Sequence, residues 1–149
     1  MISYLIDINV WLAMTWDLHP QHTTAARWYA SINHSPLMFC RFTMLGLLRL
    51  LTNQKVMGDS TCTVDEALQL YEYWTRDPRV ELAPEPRGTE ELFRHALAPF
   101  HRQQATKAIA DSYLVGFAGA LGAELVTFDK GLARTAFAQK LAVMLIQPV

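Results

Sequence analysis

A three-layer αβα sandwich around a mostly parallel sheet is the fold class this sequence predicts, and three observations predict it. Short apolar runs alternate along the chain with segments of helical period. The runs at 2–6, 37–40, 80–82, 124–128 and 143–146 lack strict apolar–polar alternation, as strands covered on both faces do. Asp7 and Asp129 fall at or just past the carboxyl ends of the first and fourth runs, where open α/β sheets bind ligands. With 149 residues, 51% of them hydrophobic, the chain suits one domain over 1–149 that buries about two-thirds of its unfolded surface.

Each element has a local reason. After the strand at 2–6 the chain turns helical over 9–14, and a second helix over 21–32 sets Ala25, Trp28, Tyr29 and Ile32 on one face. Pro36 breaks that pattern before the strand at 37–40. Met44, Leu47, Leu48 and Leu51 mark a helix that fades at Thr52 and Asn53. Thr63 with Glu66 three residues on has the spacing of a capping box. The weak strand at 80–82 runs into a loop marked by Pro84 and Pro86, and 89–98 is helical up to Pro99. A long helix over 106–121 closes at Gly122, which suits a terminal position needing positive φ. Strands at 124–128 and 143–146 complete the sheet, with no repeat, linker or low-complexity tract anywhere.

Composition removes several function classes. The two cysteines, Cys40 and Cys62, lack CxxC spacing, which argues against a disulfide framework or zinc knuckle and points to a reducing, cytoplasmic setting. Residues 1–16 are apolar but carry Asp7 and no positive leading segment, unlike a signal peptide. The uncharged stretch 112–123 falls short of the roughly 18 apolar residues of a membrane span. The net charge of −1 hides two acid-free stretches: 18–58 holds Arg27, Arg41, Arg49 and Lys55, and 93–110 holds Arg94, Arg102 and Lys107. Brought together, they form the positive surface expected for a polyanion; kept apart, they are ordinary solvated helix faces.

The aspartates carry the chemistry. Asp111 lies in the first turns of the long helix, on one stripe with Leu114, Val115 and Ala118, so it points at the sheet edge that Asp7 and Asp129 share. Three carboxylates together repel one another unless a cation joins them, and oxygen-only ligands suit Mg²⁺ or Mn²⁺. Each also has a structural alternative: Asp7 and Asp129 as helix caps, Asp111 in an ion pair with Lys107.

Asp7-Ile8-Asn9, the run 105–114 and the Val-Thr-Phe-Asp block within 122–131 resemble the PIN-domain ribonucleases, above all the VapC-type toxins of bacterial toxin–antitoxin pairs. Residues 41–53 resemble the middle helix of one toxin subgroup. The resemblance implies an αβα sandwich, Mg²⁺-dependent endonucleolytic cleavage of RNA, a homodimer, and inhibition by a small DNA-binding antitoxin of the VapB type. It implies Asp7, Asp111 and Asp129 as catalytic metal ligands. Two positions depart from the family pattern: Gly46 stands where many members carry a glutamate, and Ile8 stands where Thr is frequent. Three acids are therefore carried over, with Asn9 and Thr127 as supports that orient a carboxylate or a water.

Phosphodiester hydrolysis by a metal-activated water needs no side-chain nucleophile, and the chain offers no convincing Ser–His or Cys–His arrangement. Arg41, Arg49 and Lys107, close to the motif segments, are the expected RNA contacts. His19 and His22 suit surface or capping positions, and the four tryptophans suit core anchors more than base platforms. Two rival readings remain: a receiver-like phosphoacceptor domain, which needs paired acids where Asp7 stands alone, and a non-catalytic PIN-like module that binds RNA or protein.

Overall fold

Five parallel strands form the centre of the structure, a computed structural model that describes residues 1–147. They are β1 (Tyr4–Ile6), β2 (Leu37–Phe39), β3 (Val80–Leu82), β4 (Glu124–Thr127) and β5 (Val143–Leu145), in the order β3-β2-β1-β4-β5. Leaving β1, the chain steps outward through β2 and β3, then returns to lay β4 along the other side of β1. The gap between the carboxyl ends of β1 and β4 is thus the topological switch point, where such sheets open a crevice.

Helices cover both faces. α1 (Ile8–Thr15), α2 (His22–Ser31), α3 (Arg41–Leu51), the short α4 (Gln54–Met57) and α5 (Val64–Thr75) precede β3; α6 (Thr89–Leu97), α7 (Thr106–Leu121) and α8 (Lys130–Ala138) follow it. Alternate strand residues serve the two layers. Tyr4, Ile6, Phe39 and Val126 pack with Val10, Trp11, Leu47 and Trp74 of the first helical layer, while Leu5, Met38 and Leu125 pack with Ala96, Leu114, Phe117, Leu132 and Ala136 of the second. Both faces of the sheet being apolar explains the absence of alternation in the strand sequences.

Local chemistry sets the helix ends. Thr63 and Glu66 form the expected capping box, with bonds of 3.1 and 2.9 Å. Gly122 ends α7 at φ +74°, a left-handed conformation that costs glycine little. Of the tryptophans, Trp11, Trp28 and Trp74 are buried and Trp16 packs against their cluster; Trp11 stacks on Phe39 with ring centroids 3.8 Å apart. They are core anchors. His19 and His22 tie the turn between α1 and α2: His19 Nδ1 accepts from the Gln21 amide at 3.0 Å, and His22 Nδ1 donates to the Ala13 carbonyl at 2.7 Å.

Two elements go beyond the sequence expectation, α4 and α8. α4 has four residues, too short for a periodic signal. α8 buries only Leu132 and Ala136, so its apolar stripe is thin and its start is marked chiefly by the capping aspartate before it. No helix among the described residues is long and apolar enough to cross a membrane.

α6 and α7 pack closely enough that a side chain at Gly116 has no room. A Cβ there would stand 2.6 Å from the Phe93 amide nitrogen and 2.9 Å from the Thr89 carbonyl oxygen, both backbone atoms that cannot rotate away. Gly116→Ala is therefore expected to destabilise the protein by roughly 1–3 kcal/mol despite the better helix propensity of alanine. Chemical denaturation measures it, and an unchanged or raised midpoint would refute this packing.

Candidate active site

The crevice at the switch point is built where β1 passes into α1 and β4 into α8, with α7 and α3 as its walls. Asp7 follows β1 and caps α1: its Oδ1 accepts from the Ile8 amide at 2.8 Å, and its backbone carbonyl accepts from Val10 and Trp11. Asp129 follows β4 and caps α8, its Oδ1 accepting from the amides of Gly131 at 2.7 Å and Leu132 at 3.2 Å. Thr127, fully buried in β4, links the two: its hydroxyl donates to Asp7 Oδ2 at 2.8 Å and accepts from the Asp129 amide at 2.9 Å. Asp111 enters from α7, with its side chain 15% exposed.

Lys107, one turn before Asp111, supplies the cation. Its Nζ lies 2.7 Å from Asp111 Oδ2 and 2.5 Å from Asp129 Oδ2. The structural alternatives for all three acids are thus realised at once, two caps and an ion pair, yet the three still converge on one cleft. Among the described residues no three His, Cys, Asp or Glu side chains form a ready-made metal cage.

The electrostatics record the crowding. Burial raises the Asp7 pKa; Thr127 and Ile8 offset this in part, while Asp111 and Asp129 push it further up. Burial likewise raises that of Asp111 against the pull of Lys107. For Asp129 the order reverses: burial raises it, but Lys107 and the two capping amides outweigh burial and leave it lowered. Burial works against the Lys107 charge, and its bonds to Asp111 and Asp129 overcome that and leave its pKa raised.

The cleft has a volume of about 400 Å³, and Asn9, Gly46, Arg49, Asn53, Lys107 and Phe42 line it beside the three acids. Thr127 bonds Asp7 directly, whereas Asn9 lines the cleft without a side-chain hydrogen bond to an acid among the described residues. Arg49 and Lys107, one from each acid-free stretch, reach the cleft; Arg41 does not, and lines a neighbouring one. Phe42 and Asn53, which nothing singles out within the 41–53 run, enter from the first turn of α3 and from just past its end. The two departures from the family pattern prove to be one packing solution. A Cβ at Gly46 would stand 2.3 Å from Ile8 Cδ1 and 2.8 Å from Cγ1, so Ile8 fills the space that a side chain at 46 would need.

A larger cleft, about 720 Å³, lies at the amino end of β3 between Tyr29, Trp74, Asp77 and Arg79. Its Asp77 and Arg79 charges are already spent on one another. Arg79 bonds both Asp77 oxygens, donates to the Ile32 carbonyl at 2.5 Å and lies 4.3 Å above the Tyr29 ring, while Tyr29 donates to Asp77. Size alone does not make it the reactive site.

Known proteins share this frame. The PIN domain family matches residues 4–138. Ribonuclease VapC41 of Mycobacterium tuberculosis is 40% identical over 140 residues, covering 91% of each chain. The crystal structure of M. tuberculosis VapC20, a sarcin-ricin loop cleaving toxin, superimposes over 98% of this chain and all of that one with TM-score 0.68 at 17% identity. VapBC-1 of nontypeable Haemophilus influenzae does so over 96% and 97% with TM-score 0.68 at 14% identity. At those identities the two structures speak for the fold alone; the family match and VapC41 carry the rest. Acids gathered at the β1–β4 switch point and a family match running from β1 to the end of α8 agree, and the chain belongs to the PIN domain family.

Proposed function

We propose that this chain is a Mg²⁺- or Mn²⁺-dependent endoribonuclease, the toxin of a type II toxin–antitoxin pair. The observation that carries the reading is the meeting of Asp7, Asp111 and Asp129 in one cleft at the switch point, where Lys107 already places a positive charge between Asp111 and Asp129. The donor set fits a hard divalent ion: all three are carboxylates, and burial, with a smaller repulsion from Asp111 and Asp129, penalises the Asp7 charge in a way that such an ion relieves. Asp7 and Asp111 would hold it, with Asp129 directly or through water. When bound, it supplies a water of lowered pKa and positive charge opposite the phosphoryl oxygens.

The chain's own residues do the rest. Thr127 and the Ile8 amide fix the Asp7 carboxylate in one orientation. Lys107, on its flexible stem, exchanges its carboxylate partners for a phosphate of the RNA. Arg49 and Arg41, exposed on α3, contact further phosphates, and Asn9 stands at the cleft where a water needs orienting. Kinship to VapC41 and the likeness of fold to VapBC-1 support a small VapB-like antitoxin as partner. A homodimer and a cytoplasmic setting, where the free thiols of Cys40 and Cys62 persist, complete the reading.

Asp7→Asn and Asp111→Asn each reduce RNA cleavage to background while the protein stays folded. The fold itself reports on Asp7. Because its folded pKa is raised, ionising it costs stability as pH rises through the carboxylate range. Metal-free Asp7→Asn therefore melts at or above wild type at pH 7, and the advantage disappears below the ordinary value of 3.8. Undiminished cleavage by either purified variant excludes the assignment.

Lys107→Ala removes the resident cation and should tighten Mn²⁺ binding several-fold by calorimetry, in the absence of RNA. It should also weaken RNA binding and flatten the log–log salt slope by about one unit. Arg49→Ala moves only the RNA arm. Unchanged Mn²⁺ affinity in Lys107→Ala would show that the ammonium does not occupy the ion's seat.

With three acids and no fourth, RNA-free protein binds one divalent ion tightly rather than two. Gly46→Glu alone is expected to lower the melting temperature, because Ile8 occupies the space. Combining it with Ile8→Ala restores stability and raises Mn²⁺ affinity. Two equally tight ions in the unaltered protein would overturn the account.

A further inference from the structure

Beside the acid cleft lies a second, smaller one that the proposed chemistry does not use. About 280 Å³ in volume, it opens at the carboxyl end of β3 and is lined by Arg41, Leu82, Pro84, Glu85, Tyr113 and Phe117. Only β2 separates β3 from β1, so the two clefts lie along one sheet edge within two strand spacings, about 10 Å. They share a wall. Phe42 lines the acid cleft, and its ring stands edge-on to Tyr113 of the second cleft with centroids 5.8 Å apart.

We infer that this second cleft binds a guanine base of the RNA, next to the phosphate held among the acids, with Glu85 reading the base. The inference rests on the ribonuclease reading above. An exposed glutamate beside an RNA path repels phosphate, so its presence there needs a donor to meet. The Tyr113 hydroxyl donates to Glu85 Oε1 at 2.6 Å and so holds the carboxylate in place, while Oε2 has no hydrogen bond among the described residues. A carboxylate presents only acceptors. Guanine offers two adjacent donors, N1–H and the N2 amino group, on its Watson–Crick edge. Adenine and cytosine set one amino group beside an acceptor there, and uracil sets one N–H between two acceptors, so each would aim a lone pair at Glu85.

The remaining walls suit the same occupant. Tyr113 and Phe117 supply aromatic surface for an unstacked base, and Arg41 supplies the positive charge that lets a phosphate approach the carboxylate. Burial and then Glu85 push the Tyr113 pKa well up, so the phenol remains a donor at any physiological pH. Of the residues lining this cleft only Arg41 lies in an acid-free stretch. Their role is specificity for a base, not affinity for the backbone.

The test is binding of short fluorescent single-stranded RNAs to the full protein in a chelator, where no cleavage occurs. The probes are equal in length and carry guanine, inosine or adenine at one central position in a uridine background. Guanine is expected to bind about tenfold more tightly than the other two. Glu85→Gln should abolish that preference while binding all three probes, and Tyr113→Phe should weaken it. Binding of all probes alike, with Glu85→Gln unchanged, overturns this inference and leaves the ribonuclease reading standing. Binding of no RNA overturns both. A guanine preference lost in Glu85→Gln, with no cleavage on adding Mg²⁺, supports the base site and removes the catalytic reading.

Discussion

A carboxylate placed almost out of water must be held by donors or by charge, and the rest of this structure is arranged around how Asp7 is held. Its backbone amide bonds Val126 across the β1–β4 pair at 2.9 Å, its side chain caps α1, and Thr127 of β4 bonds the remaining oxygen. Without the return of the chain to β4 beside β1, Asp7 would be a buried charge with half its partners missing. The parallel topology and the reactive cleft are therefore one feature: the strand pairing that closes the core also orients the carboxylate.

Charge balance around that point is provisional. Lys107 satisfies Asp111 and Asp129 but stands on a 63% exposed side chain, which leaves it free to give way. Among the described residues no cation pairs with Asp7. Two acids paired and one uncompensated leave the site short of positive charge, the condition on which the proposed metal binding rests. Ile8 and Gly46 narrow the possibilities from the other side. Their interlock closes the position from which a fourth acid would enter, so the cleft trades ligand charge for apolar packing beneath α3.

The sheet edge also sets two clefts side by side. Arg49 faces the acid cleft, Phe42 forms the partition, and Arg41 with Glu85 and Tyr113 forms the next compartment. α3 serves both because its first turns leave β2 directly, one strand from β1 and one from β3. Positive residues that lie eight apart in sequence thus line neighbouring clefts. The two clefts meet where Phe42 touches Tyr113, so under the proposed reading base recognition at Glu85 can change without disturbing the carboxylates.

Much of this was legible in the sequence because it is local. Apolar runs bounded by prolines, the Thr63–Glu66 box, the glycine at 122 and the aspartates at strand ends each act within a few residues, and each appears where expected. The family resemblance likewise rests on contiguous blocks, and the match over 4–138 bears it out. What the sequence could not decide depends on contacts between distant segments. Whether Lys107 reached Asp129 as well as Asp111, whether Gly46 left a hole or was filled by Ile8, and which cleft Arg41 would line are settled by how α3 and α7 pack across the sheet. Glu85 and Tyr113, separated by twenty-eight positions and carrying no motif, become a unit only there. Hydrogen bonding and periodicity act along the chain and leave a pattern in it. Charge pairing and steric exclusion act through space, between residues whose proximity only the fold creates.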